Sequence, residues 1–185
     1  MEARIIRSKR KTVAIQIRNG EVIVRAPLRM KNEEIEKFLR MHSVWIEKKL
    51  TDAKARKEEL DAIEPLSPQE LDALVKEAKR VIPQRVEHYA KQMGVSFGRI
   101  SIRKQRSRWG SCSAEGNLNF NCLLMLAPSE VLDSVVAHEL CHLKRMDHSS
   151  AFYAELYSVF PKYKECKEWL TQNGEALMCR LGNKD

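Results

Sequence analysis

No stretch of this 185-residue sequence is apolar for anything near the roughly 18–20 residues that a bilayer crossing requires, so no membrane span is expected. The opening residues, Met-Glu-Ala-Arg-Ile-Ile-Arg-Ser-Lys-Arg-Lys, lack the apolar core and small-residue cleavage site of a secretion signal. A cytoplasmic location is the resulting expectation. C-x-x-C pairs, internal repeats and low-complexity segments are also missing. The five cysteines (Cys112, Cys122, Cys141, Cys166 and Cys179) are odd in number and read as buried thiols of a reducing compartment.

The composition is that of a soluble globular protein, 43% hydrophobic and 31% charged, long enough for one domain with a small appendage. The net charge of +8 gathers in Arg4–Lys11 and again in Arg99–Arg108. Such a balance attracts nucleic acid, nucleotides or acidic substrates, although a solvated basic surface has the same composition.

Alternation of Val13, Ile15 and Ile17 with polar neighbours predicts a strand, and Asn19-Gly20 predicts the hairpin turn into a second strand over 21–26. From Asn32 the apolar period changes to three and four residues, which predicts one amphipathic helix; the charged stretch 51–63 either prolongs it or forms an exposed linker. His42 on its apolar stripe reads as a packed residue. Ser67-Pro68-Gln69-Glu70 is a capping box with proline at the first helical position, and Gly94 closes the helix that follows, with Pro83 as a possible kink. His88 on that helix has no evident partner. Val95–Arg103 and Leu118–Leu124 read as strands around an Arg-, Ser- and Gly-rich loop, 105–117. Helices are then predicted from Pro128-Ser129, after Ser150, and from Pro161 to Gly174.

The chemistry concentrates in Val135-Val136-Ala137-His138-Glu139-Leu140-Cys141-His142-Leu143. Histidines four apart on a helix face the same side, which suits two of the three protein ligands of a catalytic zinc. Glu139 adjoins His138 and reaches the metal's water as general base. The uncharged flanks imply a buried helix, where this trio is costly unless a metal and a cleft receive it. Cys141 points about 80° away from the shared histidine direction and is not counted as a ligand. For the third ligand His148 is favoured, six residues after His142, with Asp147 and Glu155 as alternatives. Arg145 stands where a metzincin carries glycine, so the chain must leave the helix by another turn.

Arg106-Ser107-Arg108-Trp109-Gly110-Ser111-Cys112 and Asn117-Leu118-Asn119-Phe120-Asn121 precede the metal helix. Trp109 and Phe120 read as core. Arg106 and Arg108 suit a substrate carboxylate or phosphate. Asn119 and Asn121 lie on a strand whose free edge is expected above the zinc, pairing with extended substrate.

These segments, with Asp-His-Ser-Ser-Ala-Phe-Tyr after the metal helix, resemble the YgjP-like metallopeptidase family of bacteria and archaea. So do the N-terminal hairpin with its Arg-Ala-Pro ending and Trp45-Ile46-Glu47-Lys48-Lys49. The resemblance implies a zincin-type α+β fold, zinc at His138, His142 and His148, and Glu139 as the catalytic residue. It implies UTP pyrophosphatase activity as a rival to peptide hydrolysis. The chain is similar more distantly to SprT-like proteases, some of which act on DNA-bound proteins. Family members often carry a short strand segment between the two N-terminal helices, whereas Asp52–Pro68 looks helical here.

The expectation is therefore an α+β zincin-like domain over 67–185, preceded by a strand and helix part over 1–66, the two packed as one compact unit. It cleaves peptide bonds with a zinc-activated water. Nucleoside triphosphate hydrolysis is the alternative. A nucleic-acid-associated module with an accessory metal site is a third reading, and of the stacking aromatics it needs only Trp109 lies near the basic loop.

Overall fold

A computed structural model describes residues 2–18 and 20–182 of the chain. It divides into two compact units, Met1–Ala62 and Ile63–Asp185, rather than at residue 66. The segment before Ser67 belongs with the second unit because Leu66 N–H donates to the Arg180 carbonyl at 2.8 Å and Arg180 Nη1 donates to the Glu64 carbonyl at 2.7 Å.

The first unit contains β1 (Arg4–Ser8), β2 (Ala14–Arg18), β3 (Glu21–Pro27), α1 (Asn32–Met41) and α2 (Ser43–Asp61). Its sheet has the order β1-β3-β2, with β1 parallel and β2 antiparallel to β3. The expected hairpin is present, with Ile15 opposite Val24 and Ile17 opposite Val22. Gly20 carries the positive φ of 77° that the turn requires; Asn19 lies outside the described residues. Period-two alternation turns Val24 and Ala26 inward onto Ile35 of α1. β1 was not foreseen, because Arg-Ile-Ile-Arg-Ser lacks that alternation. The single helix expected from Asn32 is two, broken at His42, whose Nδ1 donates to the Phe38 carbonyl at 2.8 Å. His42 is thus a packed structural residue. Beyond the break α2 stays helical to Asp61.

The second unit opens with α3 (Pro68–Met93), started by the Ser67–Glu70 capping box and stopped by left-handed Gly94. Pro83 is accommodated inside it. β4 (Ile100–Arg103), β5 (Gly110–Cys112) and β6 (Leu118–Asn121) form a second sheet in the order β4-β6-β5. A 3-10 turn at Cys122–Leu126 then leads to α4 (Ser129–Cys141), α5 (Ser150–Val159) and α6 (Tyr163–Cys179).

Four expectations need correction. β4 begins at Ile100 and not Val95, because Val95 N–H bonds back to the Ala90 carbonyl and pairing with β6 starts only at Ile100 opposite Leu118. β6 ends at Asn121, whose side chain accepts from Leu123 N–H at 3.1 Å and starts the 3-10 turn. It is the central strand, paired on both sides, so the free edge beside α4 belongs to β5, a strand too short to show a period. Finally, α6 starts at Tyr163 and runs through Gly174. Gly174 is favoured by packing: a Cβ there would stand 3.1 Å from Trp109 Cζ2, closer than ordinary contact, and would press the ring aside.

α4 is the buried centre of this unit, with Leu132, Val136, Ala137 and Leu140 all inside the core. Burying each larger apolar side chain contributes about 1.5–3 kcal/mol, enough to hold several polar groups on the same helix. One of these is Asp133, which receives Arg85 Nε at 2.6 Å on one oxygen and Arg85 Nη2 on the other, with Tyr89 O–H donating at 3.3 Å. This clamp joins α3 to α4. Asp133→Ala should lower unfolding free energy by about 2 kcal/mol in urea melts, less than a fully buried pair because Arg85 is partly exposed and can turn to water.

Candidate metal centre and its cleft

His138 and His142 stand one turn apart on α4, and the chain leaves the helix directly after Cys141. Lys144 and Arg145 N–H groups both bond the Cys141 carbonyl at 3.0 Å, a turn that needs no glycine at Arg145. It brings the Arg145 carbonyl back onto His142 Nδ1 at 3.1 Å. His148 enters from the connection to α5, where Asp147 accepts Ser149 O–H at 2.8 Å and Ser149 caps the helix.

One nitrogen from each of the three histidines lies within 4.8 Å of the others. His138 Nε2 and His148 Nε2 are 3.2 Å apart. Ligands on a tetrahedral zinc with bonds of 2.0–2.1 Å lie roughly 3.4 Å apart, so the donor set fits such an ion. The remaining ring nitrogens support it. His142 Nδ1 donates to the Arg145 carbonyl, and His138 Nδ1 meets the Tyr163 hydroxyl at 3.0 Å, leaving both Nε2 lone pairs for a cation. Phe152 lies against all three imidazoles, at centroid distances of 5.1, 4.7 and 4.9 Å.

The rival donors are otherwise engaged. Asp147 holds Ser149, and Glu155 pairs with Lys144 at 2.5 Å. Cys141 is buried in the core with its thiol pushed up to about 12, and among the described residues only the three histidines form such a group. His88 packs edge-on against Tyr89.

Burial sets the protonation states. His138 is pushed down to about 4, first by burial and then by His142, His148 and Lys167. His142 is lowered mainly by burial. Neutral imidazole is the form that binds metal. Glu139 is 5% exposed and pushed up to about 7 by burial, which Arg108 partly offsets. Gly110 of β5 faces it: a Cβ there would stand 2.6 Å from Glu139 Oε1 and 2.7 Å from its Cγ, so any side chain would displace the carboxylate.

Beside Glu139 opens a cleft of about 370 Å³, with Trp109, Val135, Tyr163 and Leu170 as apolar wall and Arg108 and Lys167 as cations. Of the proposed substrate residues, only Arg108 lines it. Arg106 donates instead to the Leu181 carbonyl at 3.2 Å. Asn119 accepts from Arg103 and donates to Ser111 Oγ, both at 3.2 Å. Asn121 is fully buried and donates to the Gln105 and Arg108 carbonyls at 2.6 and 3.1 Å. It is a clamp on the loop that carries Arg108, Trp109 and Gly110. Sequence reasoning missed Tyr163, Lys167 and Gly110 as parts of the site. The first two are 25 and 29 residues beyond His138, and no spacing rule joins them to it.

A family model of the YgjP-like metallopeptidase domain matches residues 11–73 and 68–173. The chain belongs to this family. Over 71 residues it is 32% identical to the UTP pyrophosphatase of Escherichia coli (strain K12), a match covering 36% of this chain and 42% of that protein. The chain thus spans less than half the length of this curated relative. Among solved structures it is similar to the abylysin metallopeptidase zymogen of Pyrococcus abyssi, at 25% identity and TM-score 0.46 over 50% of this chain and 94% of that one. It is also similar to the jannalysin zymogen of Methanocaldococcus jannaschii, at 22% identity and TM-score 0.45 over 49% and 94%. The metallopeptidase family implies a metal ion, and among the described residues the three-histidine group is the set that could hold one.

Two stability predictions follow from these environments. Glu139 ionises near 4.5 when unfolded and near 7 when folded, so it removes stability progressively as pH rises through that interval. In chelator-treated protein, Glu139→Gln should therefore unfold at the same urea concentration as the parent at pH 4 and at a higher one at pH 8. The gain at pH 8 should be at most about 3 kcal/mol. Asn121→Ala should lower stability by about 2–4 kcal/mol, because two loop carbonyls lose their buried donor. Urea titration at both pH values checks each.

Proposed function

We propose that this chain is a zinc-dependent hydrolase that cleaves peptide bonds at a zincin-type centre. The observation that carries this reading is the convergence of three histidine nitrogens within 4.8 Å beside a buried glutamate whose carboxyl is pushed up to about 7. His138, His142 and His148 are the residues that would hold the ion. When bound there, zinc supplies a Lewis acid that acidifies water and polarises a carbonyl.

The chain's own residues provide the rest. Tyr163 and the Arg145 carbonyl fix the tautomers and orientations of His138 and His142. Glu139, in its apolar enclosure, accepts the proton of a water attacking the scissile carbonyl and returns it to the departing amine. A nearby cation would draw its proton affinity back down, so it starts the reaction ionised near neutral pH. The free edge of β5, Gly110–Cys112, offers backbone groups to an extended substrate strand, while the apolar wall by Trp109 and Leu170 takes a side chain.

A second reading is hydrolysis of a nucleoside triphosphate. Arg108 and Lys167 in the cleft favour it, as does the likeness to a UTP pyrophosphatase. Arg108→Gln with Lys167→Gln separates the two. Nucleotide turnover should disappear in the double variant if phosphates sit there, while peptide cleavage should only weaken.

For the principal reading, Glu139→Gln should retain zinc yet lose at least roughly 100-fold in kcat against peptide libraries. His148→Ala should weaken zinc binding, and Glu155→Ala should leave it unchanged. Zinc affinity lowered by Glu155→Ala but not by His148→Ala would transfer the third ligand to Glu155. Hydrolysis of UTP but of no peptide by the zinc-loaded protein would favour the second reading.

A further inference from the structure

Residues 1–31 hold nine of the chain's 33 Lys and Arg but only two of its 25 Asp and Glu, and so carry +7 of the net +8. The rest of the chain is nearly neutral. Among the described residues, none of these nine cations forms an ion pair. A stability role through salt bridges therefore does not explain them.

The sheet topology gathers them further than the sequence suggests. β1 runs parallel to β3, so Ser8 lies opposite Pro27, and β2 starts at Ala14 opposite Arg25. The β1–β2 connection, with Lys9, Arg10 and Lys11, thus shares one end of the sheet with the segment after β3, which carries Arg29 and Lys31. Arg7 fastens the two together: its guanidinium donates to the Met30 carbonyl and, at 2.6 Å, to Asn32 Oδ1. Lys9, Lys11, Arg29 and Lys31 are all exposed. The acids closest along the chain are in the first turn of α1, where Glu34 is turned back to accept Lys31 N–H at 2.7 Å.

We propose that this end of the sheet docks the phosphate backbone of duplex nucleic acid, independently of the metal centre. Strands about 4.8 Å apart spread these cations over roughly 10 Å, along which duplex DNA presents a charge every 1.7 Å or so of axis. Six of the nine cations are arginines, which bind phosphate oxygens through paired N–H groups. The first aromatic residue of the chain is Phe38, packed against His42, so residues 1–31 offer no aromatic ring on which unpaired bases could stack. An anionic lipid surface fits less well. Of the exposed large apolar residues described within 1–31, Ile5 and Ile6 are successive strand residues on opposite faces, which leaves Leu28 as a single apolar side chain beside the cations rather than a wedge.

The test is fluorescence anisotropy of the full chain with a labelled 20-base-pair duplex. About five phosphate contacts predict affinity falling with salt at a log–log slope near −4 to −5, a loss of a few hundred-fold between 50 and 200 mM. Lys9→Glu with Lys11→Glu and Arg29→Glu should abolish binding. The matched triple Lys76→Glu, Lys79→Glu, Lys91→Glu on α3 should retain it, with circular dichroism melts showing both triples folded. Equal weakening by both triples would reduce the effect to net charge and overturn the proposal. So would absence of duplex binding at 50 mM salt, or tighter binding of single strands than of duplex. Binding to phosphatidylserine vesicles or polyglutamate, but not to duplex, would assign the surface to another partner and overturn it equally.

Discussion

The second unit is organised by the need to keep two imidazoles and a carboxylate inside an apolar helix. α4 buries Val136, Ala137 and Leu140 completely, and His138, Glu139 and His142 must enter with them. Each polar group withdrawn from water is costly unless something receives it. Tyr163 and the Arg145 carbonyl receive the histidine Nδ1 atoms. His138 Nε2 and His148 Nε2 meet each other at 3.2 Å, and among the described residues neither has another hydrogen-bond partner. A cation at that point turns an unfavourable gathering of lone pairs into a bound site. The same burial that holds His138 neutral down to about pH 4 raises the proton affinity of Glu139.

The remaining parts of the unit position groups around that helix. The loop before β5 cannot pack by itself, since Lys104, Gln105, Arg106, Ser107 and Arg108 are all polar and only Trp109 is apolar. Asn121, anchored in the central strand, holds two of its carbonyls and so places Arg108 and Trp109 at the cleft. Gly110 then passes so close to Glu139 that the absence of a side chain is itself part of the site. On the far wall α6 brings Tyr163 and Lys167, and Gly174 lets the Trp109 ring lie against the helix. Three separated segments thus meet at one carboxylate.

The pairing of His138 with His142 was legible in sequence because a helix converts four-residue spacing into a shared face. The capping box at Ser67, the stop at Gly94 and the β2–β3 hairpin were legible for equally local reasons. What escaped were features decided at a distance. β5 is too short for periodicity and exists through its partner β6, and β1 is recruited by the free edge of β3. Gly174 resembled a helix stop but serves a tryptophan 65 residues earlier. Asn121 resembled a substrate contact because an asparagine on a strand reads as exposed; only the fold shows it fully buried. Arg106 and Arg108 are two residues apart, yet one turns to Leu181 and the other lines the cleft with Glu139.

The account's central claim is that three imidazoles, each through one nitrogen, form the protein's metal coordination. X-ray absorption at the zinc edge of the reconstituted full chain measures this directly. The account predicts three nitrogen scatterers with the imidazole outer-shell pattern and one further oxygen from water, all at about 2.0–2.1 Å, and no sulfur. A sulfur shell at about 2.3 Å, or only two imidazoles together with a carboxylate, would contradict it.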